Sequence, residues 1–589
     1  MAAQSITTIK IGGKEIKSFK RLVLQQSTND HHTLQVECQM EVLEKATGEL
    51  ANESKNFLGE SIVVIIEAKD KKDIKDTLQF LGIVTSIRNS KGYLNNNFVT
   101  ITAKSPTILA DDGPHYHSYI EKDLNAIVKN TFSNYDSGKL AAGVQAKYST
   151  AIPYAVQHKE SNWAFVSRIA MQYGEWLYYN GDKVIFGTPE TPPEVILTHN
   201  FDLKEFALNL TPTPNKFNYF TNDYTSDQHH TKNASEVNTG ANSYHSFASG
   251  KADMLYAAET NVWINNGGGT QLKALLDSQV EAQKKAAEQS QVILEGKSDN
   301  PGVSLGKIVS IKGKDADHGQ YRVTQVQHEQ DYLGNYSNVF TAISTQLDVS
   351  PYTNFEAFPY SDTQTAIVIE NADPDGMARV KVQFPWQKFT GQTTPWIRVV
   401  TPHGGGDKGF HFIPEKGEEV LIGFEGGNAE RPYMMGSLYH GNAGANSFMS
   451  ENNDLKSIRT RSGHTIEMND LDGNESITIS DKNGSMINYN TTDKVITIAS
   501  EEKIILSSKF ISMHADDIEF YSKNQKNIAS TAFTAQSGES KMSVLPGEIM
   551  DESPKVTIQG TETIISATNL TTTSSANTLI NGAMVKLNS

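Results

Sequence analysis

Residues 454–589 form a train of short alternations in which one residue separates two apolar ones. Such alternation places both apolar side chains on one face of a strand, because successive side chains point to opposite faces. Neighbouring pairs begin between 7 and 11 residues apart, with turn-forming residues between them, which predicts strands stacked along one axis. The pairs are Ile466/Met468, Ile477/Ile479, Ile487/Tyr489, Ile496/Ile498, Ile504/Leu506, Ile511/Met513 and Ile518/Phe520.

This segment predicts a β-helix or stacked β-prism with almost no helical content. One chain of such strands has a thin interior and unpaired edges, so we expect it to become stable by closing with copies of itself in a symmetric oligomer. No tryptophan follows Trp396, which suits a narrow interior filled by small side chains.

The upstream pattern mixes strands with a few helices. Helical spacing predicts helices over residues 123–132, with Asp123 as N-cap, over 161–173, ended by Gly174, and over 272–291. Residues 205–260 are rich in Asn, Thr and Ser and predict long loops, and strands resume over 303–347. In the first 105 residues, strands are predicted at 9–11, 34–42, 62–67, 78–87 and 98–103.

Residues 364–438 form a compact β-rich stretch. Five short strands in so few residues are typical of a small barrel of the OB type. The candidate strands are 367–369, 377–384, 397–399, 409–413 and 418–424.

Composition argues against several classes of function. A net charge of −16 argues against a nucleic-acid-binding surface, and Cys38, the single cysteine, excludes intrachain disulfides and cysteine-based zinc sites. The first ten residues lack the layout of a signal peptide, and the longest apolar run, 62–66, is too short to span a bilayer. We therefore expect synthesis in the cytoplasm and any export without a cleavable signal.

Several sequence blocks carry a family resemblance. The blocks 373–386, 396–399, 412–424 and 426–433 (DPDGMARVKVQFPW, WIRV, FIPEKGEEVLIGF and GGNAERPY) resemble the OB-fold signature of VgrG spike proteins of type VI secretion systems. Upstream, YAVQHKESNW at 154–163, leading to Arg168, and YRVTQVQH at 321–328 resemble the family's hub blocks.

The resemblance implies a mainly β, multidomain chain with some α structure. A hub of β-barrel domains with helices would occupy residues 1–350, an OB-fold barrel 360–445, and a trimeric β-helical or β-prism needle 455–589. It implies a cell-puncturing spike of a contractile injection machine. Its implied partners are two further copies, an Hcp-like tube protein, a PAAR-like tip protein, baseplate proteins and effector proteins, with transient contact with the target membrane and none with nucleic acid.

Departures from the family refine that expectation. Residues 439–455 leave no room for the lysozyme domain of related phage spikes, and the chain shows no effector domain after the needle. His464 and His514 form no His-x-His pair, so we expect a separate tip protein rather than an internal metal. The apolar end of the chain is the predicted docking surface for that tip protein, and it comprises Leu579, Ile580, Met584, Val585 and Leu587.

Other candidate sites have plainer interpretations. The segment 375–379 could bind an anion, but a turn entering a strand with Arg379 paired on the barrel explains it better. The glycine-rich 403–409 lacks the helix and Lys-Ser/Thr ending of a phosphate loop. His31/His32 and His115/His117 lack a suitably spaced third metal ligand. We interpret Glu160 and Asn162 as capping the helix that starts near Ser161 and as helping to set a hub contact, rather than as an acid or base.

We therefore predict no catalytic, cofactor-binding or metal-binding residues and no enzymatic activity. One alternative is the spike of an extracellular phage-tail-like injection particle. A more distant one is a β-helical tail protein that binds or cleaves glycans, which would need paired carboxylates in a groove. The adjacent pairs Asp516/Asp517 and Asp551/Glu552 are better explained as turn residues.

Overall fold

A computed structural model describes residues 4–44, 51–69, 76–92, 97–265, 269, 271–314, 316–582, 584 and 585. These residues fall into two compact units, Met1–Ser447 and Phe448–Ser589. Strands are the main regular secondary structure of both units, which confirms the prediction of a mainly β chain with some α structure.

The described strands of the first unit are, in chain order, β1 (Ser5–Ile11), β2 (Lys14–Glu15), β3 (Arg21–Ser27), β4 (Thr33–Gln39), β5 (Ser61–Ala68), β6 (Thr77–Ser90), β7 (Phe98–Lys104), β8 (His115–Lys122), β9 (Ala142–Gln145), β10 (Ile152–Glu160), β11 (Trp176–Tyr179), β12 (Val184–Gly187), β13 (Val195–Thr198), β14 (Leu203–Leu210), β15 (Phe217–Asp223), β16 (Gln228–Asn233), β17 (Thr260–Trp263), β18 (Val292–Ser298), β19 (Ile308–Lys312), β20 (Asp317–Asp331), β21 (Tyr336–Ser344), β22 (Gln364–Glu370), β23 (Lys381–Gln383), β24 (Gly404–Gly405), β25 (Lys408–Gly409), β26 (Glu419–Phe424) and β27 (Pro432–Ser437). The α-helices are α1 (Met40–Leu43), α2 (Leu124–Phe132), α3 (Asn162–Tyr173), α4 (Ser243–Leu255) and α5 (Leu272–Gln289). Short 3-10 helices occupy Ser54–Phe57, Pro106–Ala110, Ala234–Glu236, Pro385–Phe389, Glu425–Gly427 and Asn446–Phe448.

One large sheet organises the first 345 residues. Its strands follow the order β14-β18-β21-β20-β3-β4-β7-β6-β5-β1-β2, and β13 and β19 join it through β20. The antiparallel pair β20–β3 places His328 opposite Leu24 and Val326 opposite Gln26. This pair joins the strands of the N-terminal 104 residues to those that follow residue 195.

The sequence predicted the helices of this region better than its polar strands. Asp123 caps α2 by accepting a hydrogen bond from the Ala126 N–H at 2.9 Å, and Gly174 ends α3 with a φ of 66°. The loop prediction for 205–260 is wrong, because this stretch contains β14 to β17 and helix α4. Polar side chains on the exposed faces of these strands masked their alternation.

The barrel, residues 364–437, closes as the OB type requires. The sheet β23-β22-β26-β27 is completed by the segment around Val399, which bridges Met434 on β27, while Ile397 bridges Val380 beside β23. The predicted strand at 409–413 is wrong: β24 and β25 form a small hairpin there instead. Strand β27 was missed because it begins with proline, which strands tolerate at their first position.

The second unit contains two antiparallel meanders. The first consists of β28 (Leu455–Arg459), β29 (Thr465–Asn469), β30 (Ser476–Ser480), β31 (Met486–Asn490) and β32 (Val495–Ala499). The second consists of β33 (Phe533–Ser537), β34 (Ser540–Leu545) and β35 (Glu548–Asp551).

Four of the seven predicted apolar pairs lie on strands, those beginning at Ile466, Ile477, Ile487 and Ile496. The pairs beginning at Ile504, Ile511 and Ile518 lie in residues 501–532, which carry no strand within this chain. A strand ladder requires a hydrogen-bonded neighbour, and none is supplied to those residues by the described part of the chain.

Candidate assembly surface and barrel junction

Helix α3 and strand β10 meet the barrel through a buried ionic network around Arg168. Its Nε and Nη2 donate to the two carboxylate oxygens of Glu160 at 2.7 and 3.0 Å, and Nη2 also donates to the Val156 carbonyl at 2.6 Å. Nη1 lies 3.5 Å from Oε1 of Glu430, a buried residue of the barrel that also accepts the Val156 N–H at 3.2 Å. Burial alone would lower the pKa of Arg168, but the carboxylates of Glu160 and Glu430 outweigh it and raise the pKa.

This network corrects the predicted capping role of Glu160 and Asn162. Ser161 is the residue that caps α3, accepting a hydrogen bond from the Ala164 N–H at 3.1 Å. Asn162 donates instead to the Tyr135 hydroxyl at 2.6 Å. Glu160 is free to bind Arg168 because the shorter serine side chain already occupies the capping position. The sequence blocks that contain Glu160, Arg168 and Glu430 carried the family resemblance. Nothing in the sequence indicated that Glu430 contacts Arg168.

A second set of contacts joins the same strand to the barrel through uncharged groups. The Trp386 indole N–H donates to Gln364 at 3.0 Å, and the Gln364 amide lies 3.0 Å from Nε2 of His158. His158 Nδ1 lies 2.9 Å from the carbonyl oxygen of Tyr360. Burial lowers the pKa of His158, so the imidazole is held neutral at this junction. The barrel is therefore fixed to β10 and α3 of the same unit by both ionic and neutral hydrogen bonds.

The turn at 375–379 has the structural role that the sequence favoured. Arg379 donates through Nε and Nη2 to both oxygens of Asp373, at 2.8 and 2.7 Å, and also contacts Asp375. The hydrogen bonds from Arg379 lower the pKa of Asp373 well below its usual range. Both Arg379 and Asp373 are buried, so the pair holds the turn rather than presenting a cation to solvent.

The histidines considered above as metal ligands have other partners. His32 is buried with its Nδ1 3.1 Å from the Gln26 amide, whose oxygen lies 3.1 Å from Nε2 of His328. His115 contacts Asp112 at 2.8 Å, and His117 lies 3.2 Å from the Gln392 amide. Within the ranges given above, no three histidine, cysteine or acidic side chains are placed to hold a metal ion.

The buried histidines predict acid sensitivity of the first unit. Burial lowers the pKa of both His32 and His328 to about 3, so the folded state keeps them neutral while the unfolded chain binds protons below a pH of about 6.5. The free energy of unfolding should therefore fall as the pH drops from about 6.5 towards 3. By pH 5 each histidine should account for about 2 kcal/mol of that loss.

Urea unfolding followed by tryptophan fluorescence would measure this effect, because every tryptophan precedes residue 448. The variant His328→Gln should be less stable at pH 8 but should lose about 2 kcal/mol less than the parent chain between pH 8 and pH 5. An equal loss in both proteins would contradict the assignment of His328.

The second unit exposes a continuous apolar sheet face. The pairing register aligns Ile458, Ile466, Ile479, Ile487 and Ile498 across all five strands of the first meander. A second row beside it runs through Met468, Ile477, Tyr489 and Ile496. Side chains of the first row are between 36% and 55% exposed, and this apolar face is more exposed than the polar face behind it.

Such a face is costly in water, since each fully buried isoleucine would contribute roughly 1.5–3 kcal/mol. Further apolar side chains between Ile504 and Ile528 are exposed as well. This surface is the strongest candidate for assembly in the described chain.

The predicted tip-docking residues are largely exposed. Leu579, Ile580, Met584 and Val585 are 81%, 63%, 74% and 47% exposed. Leu587 lies outside the described residues. Among the residues that the structure describes, no helix combines the length and apolar character needed to cross a bilayer.

Two family models match the chain. The phage tail baseplate hub model matches residues 33–332, and the model of the type VI secretion system and phage-baseplate injector OB domain matches residues 364–439. The residues matched by the OB-domain model are those of the barrel, and the closed ring of five segments seen there agrees with this match.

Curated relatives match over short segments. The chain is 35% identical over 122 residues to the type VI secretion system spike protein VgrG5 of Pseudomonas aeruginosa, which is 19% of this chain and 15% of that protein. It is 30% identical over 115 residues, 18% of this chain and 10% of the relative, to a Vibrio cholerae protein named actin cross-linking toxin VgrG1. The matched segments thus span a small part of these longer relatives.

Among solved structures, the lidded Francisella PdpA-VgrG complex contains a chain of similar fold. The TM-score is 0.53 at 11% identity, over 84% of this chain and 80% of that one. The agreement in fold extends well beyond the segments that match in sequence.

Proposed function

Because this chain belongs to the phage tail baseplate hub family, we propose that it is the spike of a contractile injection machine of the type VI secretion class. In this role the chain is a trimeric, cell-puncturing component that links the inner tube to a tip protein and carries effectors across a target membrane. The similarity to VgrG spike proteins supports this assignment.

The observation that carries the proposal is the uncovered apolar face of the second unit. Two neighbouring rows of apolar side chains have no cover within the described chain, and residues 501–532 lack strand partners. Two further copies of the same segment would cover the rows, supply the missing hydrogen bonds and remove the unpaired edges. The proposed needle is therefore an intertwined three-chain prism.

The proposed division of labour follows the chain. Residues 1–350 form the hub that seats on an Hcp-like tube, 360–445 the OB barrel, and 455–589 the needle. The exterior of the prism is polar, so membrane crossing must be driven by sheath contraction rather than by favourable transfer into lipid. Baseplate proteins and effectors are the further partners that this role requires, and it implies secretion without a cleavable signal peptide.

The proposed role is mechanical rather than enzymatic. The segment similar to the actin cross-linking toxin is 10% of that protein, so the likeness carries no argument for an activity here. The glycan-cleaving alternative requires a groove with paired carboxylates. Asp551 of the acidic pairs accepts hydrogen bonds from Ser553 in a turn, which is a structural use of the carboxylate. The alternative role, as the spike of an extracellular phage-tail-like injection particle, would require the same trimeric needle.

The exposed C-terminal residues are proposed to bind a PAAR-like tip protein. Three copies of Leu579, Ile580, Met584, Val585 and Leu587 would meet on the trimer axis as an apolar platform. Deleting residues 580–589 should weaken capture of the tip protein at least tenfold while leaving the trimer intact. Pull-down with the purified tip protein, beside light scattering of both chains, measures the two effects; unchanged capture would contradict the docking surface.

The proposed function is testable in cells that carry a contractile injection system. In a strain whose spike gene is deleted, expression of this chain together with its cognate tip protein should restore release of tube protein into the medium. Release that stays absent although the chain is folded, trimeric and bound to its tip protein would contradict the proposal. Restoration by a chain ending at Ser447 would contradict the role given to the needle.

A further inference from the structure

A cleft of about 650 Å³ lies in the first unit where strand β17 approaches the barrel. Trp263 and Asn265 form one wall, and Trp396 and Arg398 of the barrel form the other. The walls are fixed to each other, because the Asn265 amide donates to Glu425 at 2.7 Å and Arg431 donates to the Asn265 carbonyl at 3.0 Å. The cleft is therefore a built feature rather than a gap between loosely held segments.

Strand β17 has a free edge. Among the described strands it pairs only with β15, in the sheet β16-β15-β17, and this pairing is parallel. The Thr260 N–H donates to the carbonyl of Lys216, just before β15, at 3.2 Å, and the Ile264 N–H donates to the Phe220 carbonyl of β15 at 2.9 Å. Because backbone groups alternate between the two edges of a strand, those of Asn261 and Trp263 point away from β15. They have no strand partner among the residues that the structure describes.

The walls of the cleft offer aromatic surface. Trp263 is 58% exposed, and Tyr224 and Trp396 line the same space. Flat aromatic faces beside a free strand edge are the combination by which proteins bind an extended peptide: the backbone adds a strand and its alternate side chains pack on the rings.

Arg398 and Glu121 line the cleft and have neither an ion pair nor a side-chain hydrogen bond within the described chain. Arg398 lies over the Tyr224 ring at 5.0 Å from its centre and forms no ion pair there, and Glu121 likewise has no ionic contact. The other charged side chains of the cleft have polar partners within the chain. Arg379 binds Asp373 and Asp375, and Glu430 binds Arg168. Glu425 accepts a hydrogen bond from the Asn265 amide, and Arg431 donates one to the Asn265 carbonyl. Arg398 therefore offers a planar donor for a carboxylate, and Glu121 would match a basic residue elsewhere in a bound segment.

We propose that this cleft binds an extended segment of another protein, which adds as a strand to the free edge of β17. The segment carries apolar side chains that pack on Trp263 and Trp396 and an acidic residue that pairs with Arg398. The proposal stands apart from the trimeric needle, since every group that it uses belongs to the first unit.

Amide hydrogen exchange of the full chain tests the strand addition. The probe is a blocked octapeptide of alternating valine and threonine with one central aspartate, and its partner probe has asparagine at that place. At a saturating concentration of the acidic peptide, exchange at the Asn261 and Trp263 amides should slow at least tenfold. Exchange at Thr260 and Ile264, which already donate to the carbonyls of Lys216 and Phe220, should not change.

Tryptophan fluorescence titration tests the side-chain contacts. Arg398→Gln should weaken binding of the acidic peptide about tenfold but leave the asparagine peptide unaffected, since only one charge-assisted hydrogen bond is removed. Trp263→Ala should weaken both. The matched controls are Arg88→Gln and Phe389→Ala, an exposed arginine and an exposed phenylalanine outside the cleft, and neither should change binding.

Three results would overturn the proposal. One is unchanged exchange at Asn261 and Trp263 with either peptide. Another is equal weakening of the acidic and asparagine peptides by Arg398→Gln. The third is full protection of both amides in the peptide-free oligomer, lost on dilution to the monomer, because that result would make a second copy of this chain the occupant.

Discussion

Replacing Ile479 with aspartate should abolish trimer formation while the first unit stays folded. Ile479 is the central residue of the five-isoleucine row, with Ile466 and Ile487 as its cross-strand neighbours. In one chain its side chain is 45% exposed, so a carboxylate there costs little. In the prism three carboxylates would be buried together, and losing three isoleucine side chains alone removes roughly 5 kcal/mol or more per trimer.

The matched control is Thr497→Asp, which places the same charge on the opposite, polar face of the same sheet. Sedimentation velocity should show a monomer for the Ile479 variant and a trimer for the control. Tryptophan fluorescence should be the same in both, because all tryptophans lie before residue 448. A trimer that survives Ile479→Asp would show that this face is not the assembly surface.

Replacing Arg168 with methionine should destabilise the first unit by roughly 3–5 kcal/mol, because it leaves the buried carboxylate of Glu430 and the partly buried one of Glu160 without their cation. Urea unfolding followed by tryptophan fluorescence measures the loss. The triple variant Arg168→Met, Glu160→Gln, Glu430→Gln should recover part of it, because a neutral set removes the uncompensated charge.

The chain supplies a close control for this experiment. Arg21 and Glu329 form a pair with the same atoms and the same distance as Arg168 and Glu160, Nε to Oε1 at 2.7 Å. The Arg21 side chain is 53% exposed against 9% for Arg168, so Arg21→Met should cost less than about 1 kcal/mol. Equal losses in the two variants would mean that burial does not set the strength of the Arg168 network.

Periodicity predicted those elements whose physical cause is local. Helix α2 follows from an N-cap and helical apolar spacing, and helix α3 follows from helical apolar spacing and a terminal glycine; the structure has all of these. The first four needle pairs fall on strands because strict alternation next to turn residues leaves few other conformations. The pairs from Ile504 onward share that pattern, but their ladder depends on neighbours that the described chain does not supply.

Contacts between residues far apart in the chain could not be predicted from the sequence. Glu430 and Arg168 are 262 residues apart and meet only because the barrel packs against β10 and α3. Strand β17 and the barrel wall at Trp396 come together in the same way, and each segment alone reads as an ordinary strand or turn. The assignment of Glu160 to a helix cap was wrong for a related reason. Glu160 binds Arg168 instead of backbone N–H groups because the barrel buries Arg168.

The central claim is that three copies close the exposed face of the second unit, and the absolute mass in solution tests it most directly. Multi-angle light scattering should be run on the full chain and on a chain ending at Ser447. We expect a full-length mass near three times 64.8 kDa and loss of the trimer in the shortened chain. A monodisperse full-length monomer would contradict the intertwined needle and the puncturing function built on it.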